Sequence, residues 1–142
     1  MTKDEINRKI RKSSGQIDSL NSKVITYERK LEELERLKVK ISNLQTQFES
    51  RQSVRTNNLS KLRQGVSNLR MMKKYYEGMN NFLNGDEFNR AYSGLSEAKA
   101  RINSEINNYL YKLDDAERQI SQLQRSKMDL TKQLKKMNEQ NL

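Results

Sequence analysis

Apolar side chains recur along the first third of the chain in alternating steps of three and four residues. This spacing keeps one face of an α-helix apolar and predicts helices that pack side by side. Thr2 and Glu5 have the spacing of a capping box, so the pattern predicts a helix over about residues 3–50. Its apolar positions, with a change of phase at Leu37, are Ile6, Ile10, Ile17, Leu20, Val24, Tyr27, Leu31, Leu34, Leu37, Ile41, Leu44 and Phe48.

After residue 50 the apolar repeat is interrupted at two places and continues after each of them. Residues 51–58 contain one apolar side chain, Val54, and predict a break. A second helix is predicted over about 59–82, and a last helix over about 87–139 with a stutter after Ala98. The four residues between them have the composition of a turn, with the glycine suited to positive φ and the aspartate to an N-cap. The predicted tip is Leu83, Asn84, Gly85 and Asp86.

A four-residue turn between two striped helices forces them to run antiparallel. We therefore predict an all-α fold, a single elongated, coiled-coil-like helical hairpin over residues 1–142 with a long N-terminal helix. About 80 residues precede the tip and about 55 follow it, so the first helix either overhangs the hairpin or folds back at the break. An overhang leaves an apolar seam unpaired, and such a seam marks a partner surface. The predicted partner-binding residues are Ile10, Ile17, Leu20 and Val24.

The amino-acid composition limits the catalytic and metal-binding chemistry that the chain can support. Hydrophobic residues make up 33% of the chain and charged residues 32%, and proline, histidine and cysteine are absent. Without imidazoles and thiols, thiol and imidazole mechanisms and zinc, haem and iron–sulfur sites are excluded. The acidic pairs Glu32-Glu33 and Asp114-Asp115 diverge by about 100° on a helix and make no converging dyad. We expect no catalytic, metal or cofactor-binding residues and no enzymatic activity.

The net charge of +10 is concentrated in residues 51–83, which carry seven basic side chains and one acidic side chain. Such a stripe suits an acidic protein, nucleic acid phosphates or anionic lipid, and it is also common on solvated faces. We expect a protein partner rather than nucleic acid, and at most peripheral contact with a membrane. No apolar run reaches the ~20 residues needed to span a bilayer, and the N-terminus lacks a signal-peptide pattern. The expected location is the cytoplasm, with any export independent of a signal peptide.

Residues 59–140 resemble the WXG-type helical hairpins of type VII secretion. Leu83-Asn84-Gly85 stands in the place of the W-x-G tip, and Phe88 and Tyr92 are the aromatic positions that follow it. The resemblance is greatest to the longer helper proteins encoded beside LXG-domain toxins in Gram-positive bacteria. It implies an all-helical protein that binds the helical N-terminal domain of a secreted toxin and targets it to the secretion machine.

The same resemblance implies an export motif of the form Y-x-x-x-D/E, which Tyr111 and Asp115 match. It also implies a chaperone-like accessory role without a small-molecule substrate, in which a second small helical helper can take part. The patterning leaves an alternative open, namely a structural coiled coil or a prefoldin-like chaperone or adaptor. A homodimeric spacer of that kind is expected to hold one unbroken register along its helices.

Overall fold

The predicted all-α fold is confirmed. The computed structural model describes residues 1–65 and 70–140, and their side chains except those of residues 62–65, 70–72, 76 and 82–84. In this part of the chain there are three helices and no strand: α1 (Lys3–Gly65), α2 (Arg70–Asn84) and α3 (Asp86–Gln140).

The predicted capping box at the start of α1 is confirmed. The Glu5 N–H donates to the Thr2 hydroxyl at 3.2 Å, and the Thr2 N–H donates to a Glu5 carboxylate oxygen at 3.4 Å. These reciprocal bonds satisfy backbone donors that have no partner within the helix. The acidic residues of the first turn, Asp4 and Glu5, also complement the positive end of the helix dipole.

The predicted break over residues 51–58 is wrong, because α1 continues through it to Gly65. The segment is poor in apolar residues but contains no proline or glycine. Backbone hydrogen bonds carry the helix through it, since propagation needs no apolar side chains and arginine and glutamine are good helix formers. Polar Gln52 and Thr56 take the partly buried positions there.

Contacts divide the chain into two units. Unit 1 comprises Met1–Glu33 and Ile106–Leu142, and unit 2 comprises Leu34–Glu105. In unit 1 the rings of Tyr27 and Tyr109 lie 6.0 Å apart. In unit 2 the rings of Phe48 and Phe88 stack at 4.8 Å with 4° between their planes. Within each unit a segment of α1 thus packs against a segment of α3, and the pairing makes the two long helices antiparallel, as expected of a hairpin.

The predicted tip at Leu83-Asn84-Gly85-Asp86 is wrong. Only Gly85 separates α2 from α3, whereas an αα-hairpin needs a loop of about two to five residues. Gly85 does not have positive φ, and helical bonding resumes at once, with the Asn89 N–H donating to the Gly85 carbonyl at 3.3 Å.

Helix lengths indicate where the chain reverses. From Phe48, α1 continues to Gly65, a rise of about 25 Å, yet Phe88 stacks on Phe48. The 15 residues of α2 cover about 22 Å, so α2 already runs back towards Phe88. By the time α2 begins the chain therefore already runs opposite to α1, so the direction does not reverse at Gly85.

Burial along the long helices follows one unbroken repeat. Positions spaced alternately three and four residues apart run from Lys3 to Gln52 in α1 and from Phe88 to Met137 in α3. The residue at each of these positions is buried or partly buried. The phase change predicted at Leu37 is therefore wrong: Leu37 and Leu44 are 46% and 52% exposed, and Lys38 and Gln45 take the inward positions. In the second predicted seam Leu59 is buried and Met79 partly buried, and its other members lie outside the described side chains.

Candidate helix-docking surfaces

The four predicted partner-binding residues point into unit 1. Ile17 is buried, Ile10, Leu20 and Val24 are partly buried, and the nearby Ile6 is 1% exposed. The overhang is therefore wrong, as is the fold-back, because both followed from placing the tip at Gly85. With α2 already running opposite to α1, α3 extends far enough to cover the first helix. These residues form the core of unit 1, so a partner must use other surfaces.

We letter the seven positions of the repeat a to g and give the two inward positions the letters a and d. The e and g positions on either side of them form two flanks on each helix pair. Antiparallel helices bring e beside e and g beside g. In unit 2 the e positions Glu49 and Ser96 reach across one flank: the Tyr92 hydroxyl donates to Glu49 at 2.5 Å, and the Gln45 amide donates to Ser96 at 3.0 Å. The bond to Glu49 raises the pKa of Tyr92, because ionisation would place two negative charges together.

In unit 1 the flank formed by the g positions is a shallow polar groove. Its lining residues are Gln16, Ser19, Leu20, Lys23, Gln119, Gln122, Leu123 and Ser126. The g positions of α1 here are Lys9, Gln16, Lys23 and Lys30. Long polar side chains of this kind keep the flank of a helix pair solvated.

The g flank of unit 2 has the opposite character. Two exposed leucines, Leu37 and Leu44, occupy successive g positions of α1, and Ala91 and Ala98 occupy those of α3. The inward a positions nearby are polar, at Lys38, Gln45, Gln52 and Lys99. The apolar stripe of α1 is thus rotated away from α3, and apolar surface remains on one side of this unit.

Three large apolar side chains of unit 1 are exposed at b, e and f positions on or beyond its e side, and we call them the apolar patch of unit 1. Ile25 is 58% exposed, Leu110 48% and Tyr111 77%. The neighbouring pair Tyr27 and Tyr109 places these residues at the same level of the two helices. The adjoining e and b positions carry acidic side chains that form a rim, one of which, Asp114, is paired with Arg118. The rim comprises Asp18, Glu28, Glu32, Asp114 and Glu117.

Tyr111 and Asp115, which match the export motif, both lie exposed on α3. The Asp115 carboxylate accepts a hydrogen bond from the Gln119 amide at 2.8 Å. The adjacent Asp114 pairs with Arg118, and this bond raises the pKa of the guanidinium by favouring its charged form. The phenol of Tyr111 therefore stays accessible beside a local network of polar side chains.

The described members of the basic segment over residues 51–83 are exposed: Arg51, Arg55, Lys61, Lys73 and Lys74. Arg63 and Arg70 belong to the same segment, but their side chains lie outside the described residues. Tyr75, beside the two lysines of α2, is 53% exposed. All the described basic residues of this segment belong to unit 2 and can contribute to its long-range field.

In the described part of the chain, no group of three or more acidic side chains is arranged to hold a metal ion. None of the helices there is long and apolar enough to cross a membrane. No family model, curated protein or solved structure matches the chain.

Proposed function

We propose that this chain is a non-enzymatic accessory protein that binds the helical N-terminal domain of an LXG-type toxin and targets it for type VII secretion. The resemblance of residues 59–140 supports the family, although Leu83-Asn84-Gly85 joins α2 to α3 instead of forming the hairpin tip. The all-helical hairpin itself supports a docking role.

The exposed apolar patch of unit 1, formed by Ile25, Leu110 and Tyr111, carries the proposal. Single exposed apolar residues are ordinary, but grouped ones with a polar rim are typical of interaction sites. The seam of unit 1 is already filled by its own side chains, so this patch has no role in closing the hairpin. An amphipathic helix is the kind of ligand that exposed apolar side chains on one side of a helix pair accept.

The acidic rim defines the chemistry of that helix. Asp18, Glu28 and Glu117 surround the patch, and the e and b positions over residues 18–32 and 107–124 contain no basic residue. Complementary charge sets orientation and speeds association. The docking segment of the toxin domain should therefore carry lysine or arginine beside its apolar stripe, and binding should weaken as salt is raised.

The test is co-purification with the LXG domain encoded by a neighbouring reading frame, followed by calorimetry. Ile25→Asp combined with Leu110→Asp should abolish binding, because both changes place charge in the contact. Glu28→Lys combined with Glu117→Lys should weaken binding and remove its salt dependence. Asp115→Ala tests the export motif, since Asp115 lies outside the patch, and should lower secretion of the complex without weakening its binding.

Val39→Asp is the matched control, since Val39 occupies the same b position of α1, is 56% exposed and belongs to unit 2. It should bind like the wild type. Failure of the wild-type protein to bind that LXG domain would refute the proposal, and equal losses in Val39→Asp and the patch variant would remove the patch from it.

The alternative is a structural coiled coil or adaptor. The unbroken spacing of inward positions from Lys3 to Gln52 and from Phe88 to Met137 favours it. A prefoldin-like version requires strands between the long helices, and the described residues of that region form α2. Binding of an LXG domain through the acidic-rimmed patch separates the targeting function from a structural one.

A further inference from the structure

The g flank of unit 2 has a composition that unit 1 lacks. Its residues are Leu37 and Leu44 of α1 and Ala91 and Ala98 of α3. Over these two heptads the a positions of α1, Lys38 and Gln45, are polar, so its apolar side chains occupy d and g and face the side of the helix pair. Packing against α3 leaves both leucines about half exposed, and an apolar stripe turned to the side in this way is covered only by a further helix. We infer that this flank binds a second copy of the chain and forms a four-helix bundle.

The flank is self-complementary in shape. Its large side chains, Leu37 and Leu44, come from α1, and its small ones come from α3. Gly94 lies between the alanines at a c position, and a Cβ placed on it would meet no atom within 4 Å. A two-fold axis parallel to the helices sets α1 of one copy against α3 of its partner, so that Leu44 enters the space at Gly94 between the two alanines, and Leu37 lies beside Ala98 and the stem of Arg101.

The position of each contact along the helix axes follows from which residues of α1 and α3 lie opposite each other within one chain. Phe48 lies against Phe88, and Gln45 bonds to Ser96. An axis parallel to the helices preserves these levels, so Leu44 of one copy meets the region of Gly94 in its partner. At the end of the same flank, Arg51 comes level with Glu87, and both are exposed. Opposite charges thus meet across the contact.

A second copy is favoured over an unrelated helix because the flank provides both the knobs and the holes that it needs. Leu110 and the acidic rim of unit 1 take no part, so this surface is independent of the one proposed for the toxin.

The oligomeric state of the full chain, measured by light scattering from about 1 to 100 µM, tests the inference. The wild type should be a dimer, and Leu37→Glu with Leu44→Glu should raise the dimer Kd on the order of 100-fold while helix content stays unchanged. Val39→Glu is the control and should remain dimeric. Ala98→Arg should also dissociate the dimer by filling the space opposite the leucines.

Cross-linking gives a second measurement that does not depend on weakening the protein. The chain has no cysteine, so Leu44→Cys and Gly94→Cys can be made in separate, differently tagged copies and mixed. A disulfide between the two copies is expected, and Val39→Cys mixed with Gly94→Cys should give none. A wild type that is monomeric at 100 µM, a double-glutamate variant that dimerises normally, or equal cross-linking of Val39→Cys would each overturn the inference.

Salt separates this association from toxin binding. Each copy carries a net charge of +10, so screening the repulsion should strengthen the dimer between low and moderate salt. Binding of a basic helix to the acidic rim of unit 1 should weaken over the same range. Dimerisation that weakens steeply with salt would show that ion pairs, and not the leucine and alanine columns, hold the copies together, and the inference would be wrong.

Discussion

The two units use the same pair of helices in different ways. Unit 1 contains five of the buried residues in the described chain: Ile6, Ser13, Ile17, Ile106 and Ala116. Unit 2 contains two, Leu59 and Ile102. Unit 1 has polar g positions and apolar a and d positions except at Lys3, Ser13 and Lys127, whereas unit 2 has polar residues at several a positions and apolar residues at g.

This difference shows that a regular heptad repeat does not determine how completely a helix pair is closed. The inward positions follow the same spacing in both units, but in unit 2 the apolar side chains occupy the d positions while most a positions are polar. In unit 2 Leu37 and Leu44 flank the seam and remain about half exposed. The free energy of burying these leucines is therefore available to a further helix, at about 1.5–3 kcal/mol per fully buried side chain.

The largest effect is expected in the core of unit 1. Ile17→Asp places a carboxylate at a buried position and should lower the free energy of unfolding by about 3 kcal/mol or more, since the charge loses its hydration there. Ile25→Asp, the same change at a 58% exposed position of the same helix, should cost less than about 1 kcal/mol. Urea unfolding of both variants is the measurement. Similar losses would mean that the seam of unit 1 is not closed by α3.

An intermediate effect is expected at the junction of α2 and α3 in unit 2. A Cβ on Gly85 would lie 2.3 Å from the Asn81 carbonyl oxygen, so Gly85→Ala forces the backbone to move and should cost about 1–2 kcal/mol. Gly15→Ala in unit 1 meets no atom within 4 Å and should add about 0.5–1 kcal/mol through helix propensity. Thermal unfolding followed by circular dichroism should therefore move in opposite directions, and a gain at both sites would contradict the close approach.

The smallest effect is expected at the polar inward positions of unit 2. Lys38 occupies a partly buried a position, and Lys38→Leu should raise stability by about 1 kcal/mol by adding apolar area to the seam. Lys40→Leu, at an exposed c position two residues away, should change stability by less than about 0.5 kcal/mol. Chemical unfolding compares them. If Lys40→Leu were the more stabilising, the inward face of α1 would have been assigned wrongly.

The sequence predicted the long helices where local signals and burial coincide. The capping residues Thr2 and Glu5 form the expected bonds, and the predicted apolar positions of α3 from Phe88 to Met137 face inward, except that Lys99 takes the place expected for Ala98 and the predicted stutter is wrong. Two lysines, Lys99 and Lys127, fill the places in that seam where no apolar residue is available. Their long alkyl stems can lie along a helix interface while the ammonium group reaches water.

The failures share a physical cause, which is that apolar content was used in place of backbone geometry. The polar run over residues 51–58 suggested an interruption, yet nothing in it disrupts helical bonding. Leu37 and Leu44 suggested a change of phase because their g positions adjoin d. Gly85 suggested a turn, since glycine is common both at helix ends and at junctions where chain segments approach closely. The docking residues were misplaced as a result of that one wrong turn.

The aromatic ladder of unit 2 has a consequence for how the hairpin finds its alignment. A repeat of seven residues lets two antiparallel helices slide by one heptad and still match apolar rows, so several misaligned pairings are nearly degenerate. Phe48 stacked on Phe88, with Tyr92 6.2 Å further along and bonded to Glu49, can form only in one alignment. Ring stacking contributes about 0.5–1.5 kcal/mol per pair. These rings thus favour the native alignment of the two helices during folding, because misaligned pairings lack the stacking energy and are short-lived instead of acting as kinetic traps.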